Sequence, residues 1–234
     1  MNDQNYLPID LNSVDHVLNT TRSVRLRLDL ERAVPRHLID EALEIALQAP
    51  TGANTQTWRF LVVTEPSLKQ GIADCYRRGA EKYMSDQTAM TRTGVAVNRE
   101  FAENDLRQKQ RTGVINSSVH LLENMHRVPA MIIPCIESRF ESEDVFVQAS
   151  MYGSILPATW SLMLALRARR IASAWTSLHL IYEKEVSDLL GIPEDVTQAA
   201  LLPIAWLMGG DLKAAKRLPL DEVVYTDKWG NTDT

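Results

Sequence analysis

Residues 146–168 (FVQASMYGSILPATWSLMLALRA) carry no charge before Arg167. A segment so apolar on every side must be surrounded by other elements, and its Ala, Leu and Met content favours a helix. The longest apolar run falls well short of the roughly 18–20 residues needed to span a bilayer. The expectation is therefore a central helix of a globular core, with Pro157 near its first turns or marking a kink. The chain has 234 residues and 45% apolar content, which suits one domain, residues 1–234.

Around this segment the pattern alternates between helix and strand signals. Val14, Val17 and Leu18 share a helical face after a possible cap at Ser13. Pro35 opens a helix striped by Leu38, Ala42, Leu43, Ala46 and Leu47, and Pro50 ends it. Residues 58–64 (WRFLVVT), 129–136 (PAMIIPCI), 171–175 and 200–207 read as strands by their β-branched and aromatic content. Pro134 argues that 129–136 is an edge strand or bulged. Residues 116–127 read as a short amphipathic helix, and residues 183–190 as a helix stopped by Gly191 and Pro193. Residues 80–113 are polar and lack an apolar stripe, so they form a surface excursion and a candidate lid. Residues 213–234 lack local periodicity and should lie on something else, such as a second subunit. The fold class expected is α+β: a small central mixed sheet wrapped by helices.

Several functions are disfavoured. Thirty acidic against twenty-five basic residues leave no reservoir for counterion release on nucleic acid. The N-terminus has neither a basic nor an apolar signal region, and Cys75 and Cys135 form no disulfide framework, so the expected location is the cytoplasm. His120, Glu123 and His126 make one Glu-x-x-His pair where a di-iron bundle needs two, so no metal is expected. The G-x-S-x-G, G-x-x-x-x-G-K-[ST] and G-x-G-x-x-G motifs are all missing.

Two clusters remain. Arg22-Ser23-Val24-Arg25 places two guanidiniums on one side of an extended stretch, flanking a hydroxyl, with no acid between them. That set suits a phosphate monoester, although a solvated basic edge, the commoner case, would look the same. The segment 50–56 (PTGANTQ) pairs small residues, which admit a flat ring, with Asn54 and Gln56, whose amides suit the N–H and C=O edge of a fused pyrimidine. A polar helix-to-strand turn would have the same composition.

In combination and order, these segments resemble the FMN-dependent nitroreductases. The resemblance runs from Thr21-Arg22-Ser23-Val24-Arg25 through residues 49–58, then 171–176, 189–193 and 216–224. It implies an interlocked homodimer with exchanged C-terminal tails and two FMN sites between the subunits. Arg22, Ser23 and Arg25 are implied as the phosphate clamp, with Arg217 as their distal partner. Pro50, Thr51, Gly52, Ala53 and Asn54 resemble the loop that reaches the flavin from the opposite subunit, and Gln56 shares its pattern. Trp175 and Thr176 fall beside the flavin face and N5, and Ser154 falls where some relatives place a glutamine. No side chain is implied as catalytic acid or base; the chemistry lies at flavin N5. The implied reaction is ping-pong: NADPH or NADH, with NADPH preferred, delivers hydride to FMN, which passes it to nitroaromatics or quinones. An ene-reductase, a reductive dehalogenase and a non-catalytic flavin-binding or sensing dimer are the alternatives. The excursion holds Tyr83, Met84, Met90 and Phe101, which would close over a small aromatic substrate. This chain departs from the family where relatives often have Gly-Leu-Gly and it has Arg170-Ile171-Ala172.

Overall fold

The computed structural model describes residues 9–85, 101–141 and 143–232. Helix α1 (Leu11–Thr20) is capped by Asp10, whose carboxylate accepts from the Asn12 amide. Ser13, expected as the cap, instead donates its hydroxyl proton to Asp10. Helix α2 (Arg36–Ala46) begins after Pro35 as expected; of the expected stripe it buries Ala42 and Ala46, with Ile39 beside them, while Leu38 and Leu43 are half-buried and Leu47, past its end, is exposed. Strand β1 (Trp58–Val63) leads into α3 (Pro66–Ser85). Helix α4 (Leu106–Asn124) starts ten residues before the expected 116. Its Val114, Ile115 and Val119 stand exposed, so its sequence shows no stripe towards its own core. Residues 80–85 and 106–113 of the expected excursion are thus helical. The rest of it, with Met90, falls largely on residues 86–100, outside the described residues.

Strand β2 (Ala130–Ile136) follows, then α5 (Val145–Ala168), β3 (Ile171–Ser173), α6 (Glu183–Leu190), β4 (Thr197–Gln198) and β5 (Leu202–Trp206). Gly191 ends α6 in the left-handed conformation, φ 67°, where glycine carries no Cβ penalty. The sheet order is β1-β2-β5-β3, with β4 also paired to β2. Among the described residues every ladder is antiparallel. The expectation was a mixed sheet; this single chain supplies no parallel pair among those residues.

Strand β2 is central and buried along its whole length, not an edge. Pro134 is tolerated because of where it falls. β5 pairs with residues 130–132 and β4 with 135–136, so Pro134 lies at the break between the two ladders. Its carbonyl accepts from Ala199 N at 2.8 Å. In an antiparallel ladder a residue's N–H and C=O point to the same side, so the missing N–H falls where no ladder bond is due.

Alternate residues of β2 face opposite layers. Met131, Ile133 and Cys135 pack with Ile72, Tyr76 and Met125 on the α3 side. Ala130 and Ile132 pack with Ile39, Ala42, Leu162 and Leu166 on the α2 and α5 side. Helices cover both faces, which is why β2 is apolar throughout. Helix α5 is, by length and composition, the one described helix long enough to cross a membrane, which the run length of the sequence did not reveal. Its residues Ile155, Ala158, Leu162 and Leu166 are instead buried inside this chain.

Candidate functional site

The segment from Thr21 to Leu28 forms no full strand. It lies, with a turn at residues 26–27, against the β3 and β5 side of the sheet. Val24 N donates to Ser173 O at 2.8 Å, Leu28 bridges to Leu207, and Asp29 N donates to Trp206 O at 3.0 Å. Ser23 Oγ accepts from Trp175 N at 2.9 Å. Its own proton reaches the Trp175 carbonyl only at 3.5 Å, which leaves it available to a closer acceptor. Two motifs 152 residues apart are thereby stapled together.

Arg22 and Arg25 flank that staple, and both are half-buried. Neither makes an ion pair or hydrogen bond with the described residues, whereas Arg27, Arg59, Arg78, Arg127, Arg139, Arg167 and Arg169 all do. A partly desolvated guanidinium without a counter-charge is costly, and an anion would relieve that cost. A phosphate monoester fits this donor set, because each planar fork matches two phosphate oxygens.

The geometry is held from behind by a polar network. Arg167, buried near the end of α5, donates to Thr20 Oγ1 at 3.1 Å and pairs with Asp211. Asp211 also meets His16 Nε2 at 2.6 Å. The Leu212 amide, then the Arg167 guanidinium, hold the Asp211 carboxyl down at about 2. Arg27 donates to the carbonyls of Met208 and Gly210. The start of the tail is thus bound to the end of α1 and the arginine segment.

Thr176 closes the other side. Its amide donates to Leu201 O at 3.1 Å, and its Oγ1 lies 3.1 Å from the hydroxyl of Tyr76 on α3. Burial pushes the Tyr76 phenol up, partly offset by Thr176 and by the nearby charge of Arg25. Arg170, just before β3, has φ 60°, a left-handed conformation that strains a residue carrying a Cβ.

The second predicted cluster is a strained loop. Ala53, Asn54 and Gln56 all have positive φ, at 49°, 55° and 53°. Non-glycine residues hold such conformations only where the surroundings over-determine them. Thr51 Oγ1 accepts from Gln56 N at 3.2 Å, and Gln56 Nε2 donates to Asn54 Oδ1 at 3.3 Å. Ser154 Oγ accepts from Gly52 N at 3.0 Å and donates to Ser150 O at 2.8 Å. Its single proton is thereby used, so Ser154 acts as the anchor of the loop. Gly52, Ala53, Asn54 and Gln56 are exposed, as is Pro50, with Thr51 half-buried.

Two groups are therefore assembled: Arg22, Ser23, Arg25, Trp175 and Thr176, and Pro50 to Gln56 with Ser154. Among the described residues no hydrogen bond or ion pair joins the two groups. Arg217 is exposed and tied to neither; next to it, the carbonyl of Lys216 accepts from Gln110 Nε2 at 3.3 Å. Sequence reasoning missed Tyr76 and the Arg167–Asp211 pair. Their partners lie 100 and 44 residues away, and no local pattern marks such contacts.

A sequence model described as the nitroreductase family matches residues 18–206. A 58-residue stretch is 43% identical to iodotyrosine deiodinase 1 of Sus scrofa, covering 25% of this chain and 19% of that protein. The stretch thus spans about a fifth of that curated relative. The structure of the FMN-dependent nitroreductase NfnB from Mycobacterium smegmatis in complex with NADPH superposes with TM-score 0.63 at 18% identity, covering 93% of this chain and 99% of that one. That of oxidized iodotyrosine deiodinase bound to FMN and 3-iodo-L-tyrosine gives 0.62 at 19% identity, covering 92% and 98%.

Proposed function

Because this chain belongs to the nitroreductase family, we propose that it is a homodimeric FMN oxidoreductase that takes hydride from NADPH or NADH and passes it to an electron-poor aromatic acceptor. One observation carries this reading. Arg22 and Arg25 are half-buried, free of counter-ions among the described residues, and stapled through Ser23 to the segment holding Trp175 and Thr176.

When bound, FMN supplies hydride acceptance and donation at N5. The chain's own residues bind and orient. Arg22 and Arg25 would hold the phosphate, with the Ser23 hydroxyl as a further donor and Arg217 joining from the tail. Trp175 and Thr176 would lie against the ring. The loop 50–56, pre-shaped by its positive-φ residues and Ser154, serves the site of the partner subunit. No side chain is needed to form or break a covalent bond. Cationic and N–H donors near the ring oppose the charge that reduction places on it.

A second copy is supported by apolar surface left open on the chain. Leu11, Val14 and Leu18 of α1 are each more than 40% exposed, Phe146 on α5 is 78% and Trp229 in the tail 93%. An interface with a second copy would cover such residues.

The absorption spectrum of the purified protein, followed by anaerobic titration with each nicotinamide, tests the reading. A flavin spectrum bleached by NADPH and restored by a nitroarene or quinone is expected. A colourless protein that takes up no FMN overturns it, and bound flavin that no nicotinamide bleaches favours the non-catalytic dimer. The identity to iodotyrosine deiodinase 1 favours one further reading, reductive dehalogenation of a halogenated phenol. Turnover of a halogenated tyrosine exceeding that of a nitroarene would replace the nitroreductase assignment with it.

A further inference from the structure

Arg22 leaves the end of α1, yet that helix is barely packed against its own chain. Of its 10 residues only Thr20 is buried. What attaches it is polar. Thr20 Oγ1 donates to His16 O at 2.7 Å and accepts from Arg167 Nη2 at 3.1 Å, while His16 Nε2 meets Asp211 at 2.6 Å. Thr21 is tied back to the same last turn, its amide donating to Val17 O at 3.0 Å and its hydroxyl at 2.7 Å. Arg22 therefore stands between two fixed points, the end of α1 held by Arg167 and Ser23 held on Trp175. Arg25 lies beyond the second of them, next to Val24, whose amide donates to Ser173 O at 2.8 Å.

Arg167 is 8% exposed. Its Nη2 makes the contacts with both Thr20 and Asp211, while its buried Nε has no partner among the described residues. An orphaned buried N–H costs free energy, and a buried ion pair often fails to repay its desolvation. At the end of so apolar a helix, a well-packed apolar residue would serve stability as well. What it could not do is reach Thr20 and fix the direction in which the chain leaves α1.

We infer that Arg167 is a positioning residue for phosphate recognition: by holding Thr20 it sets where Arg22 stands, and it has no such hold on Arg25. The inference rests on the flavin reading above, in which both arginines meet the phosphate. Arg167 itself touches no part of the ligand. It acts on the phosphate end alone and leaves recognition of the ring unchanged.

The test compares two probes, FMN and riboflavin, which share the ring and differ in the phosphate, by fluorescence titration of the full chain. Arg167→Met is expected to weaken FMN binding about tenfold and riboflavin binding less than about twofold. That change also removes a charge. Thr20→Val keeps the charge and removes only the hydroxyl, so it should reproduce the loss, whereas Thr20→Ser should not. In an Arg22→Ala background neither Arg167→Met nor Thr20→Val should add more than about twofold, and in an Arg25→Ala background both should keep their full effect. Equal weakening of FMN and riboflavin assigns Arg167 to packing and overturns the inference. A loss that Thr20→Val does not share assigns it to charge and does the same. So does a loss undiminished in the Arg22→Ala background, or wild-type FMN affinity in both single variants. A wild-type protein that binds neither probe overturns the flavin reading itself, and one that binds riboflavin as tightly as FMN removes the clamp; both are seen before any variant is made.

Discussion

Single side chains show where function and stability pull apart. Arg22 and Arg25 contribute no pair among the described residues, so replacing both by alanine should leave thermal stability near wild type. A hydrogen bond to a charged group is worth about 1.5–3 kcal/mol, so the same double variant should weaken FMN binding at least about a hundredfold. Flavin fluorescence titration measures this, and unchanged affinity removes the clamp assignment. Arg170 runs the other way. Its left-handed conformation costs about 1–2 kcal/mol in a residue with a Cβ, while its side chain returns one hydrogen bond to Gly209 O at 3.2 Å. Arg170→Gly should raise the unfolding free energy by up to about 1 kcal/mol, read in urea. His179 is fully buried, and burial pushes its pKa down to about 3 against a smaller opposing effect of the nearby Gln198 side chain. Unfolded, it titrates near 6.5. Between those values the unfolded chain binds a proton that the native protein does not. The stability is therefore fully present above about pH 6.5 and falls as the pH drops towards about 3, by up to about 1.4 kcal/mol per pH unit. His179→Phe should flatten that slope in urea midpoints taken from about pH 7.5 to about pH 4.5.

At the scale of elements, the positive-φ loop and its anchor carry a prediction of their own. Ser154→Ala leaves the Gly52 amide without its partner on α5. It should cost about 1 kcal/mol in stability and weaken flavin binding several-fold, whereas an unchanged affinity would show that the loop holds its shape unaided. Which elements were legible follows from where their side chains point. Helix α2 and the stop at Gly191 could be read because their buried stripe or terminator is local. The first half of α4 could not, because Val114 and Ile115 face away from this chain's core; Val119, in the half that was read, is exposed as well. Pro134 misled for a related reason. Whether a proline interrupts a strand depends on the partner opposite, and here the partner is a gap between two ladders that residues 199–201 create.

For the whole molecule, the surface turns on what covers α1, the start of α5 and the tail. Phe146→Asp, at a residue 78% exposed in the single chain, should leave monomer stability intact. If two copies build the site, it should also shift sedimentation to the monomer and abolish flavin binding. A dimer that persists with flavin bound excludes that face from the interface.

Several properties were present in the chain of residues alone: the apolar segment 146–168 as the organiser of the core, the α+β class, and the Arg22-Ser23-Val24-Arg25 and 50–56 motifs. Each depends on local composition and spacing, which short-range sterics and burial translate directly into structure. Folding decided the remainder. It brought Ser23 onto Trp175, Thr176 onto Tyr76, Arg167 onto Asp211, and β2 to the centre of the sheet. Those are encounters between distant segments, and they exist only once packing has brought the layers together and left their hydrogen-bonding groups no solvent to turn to.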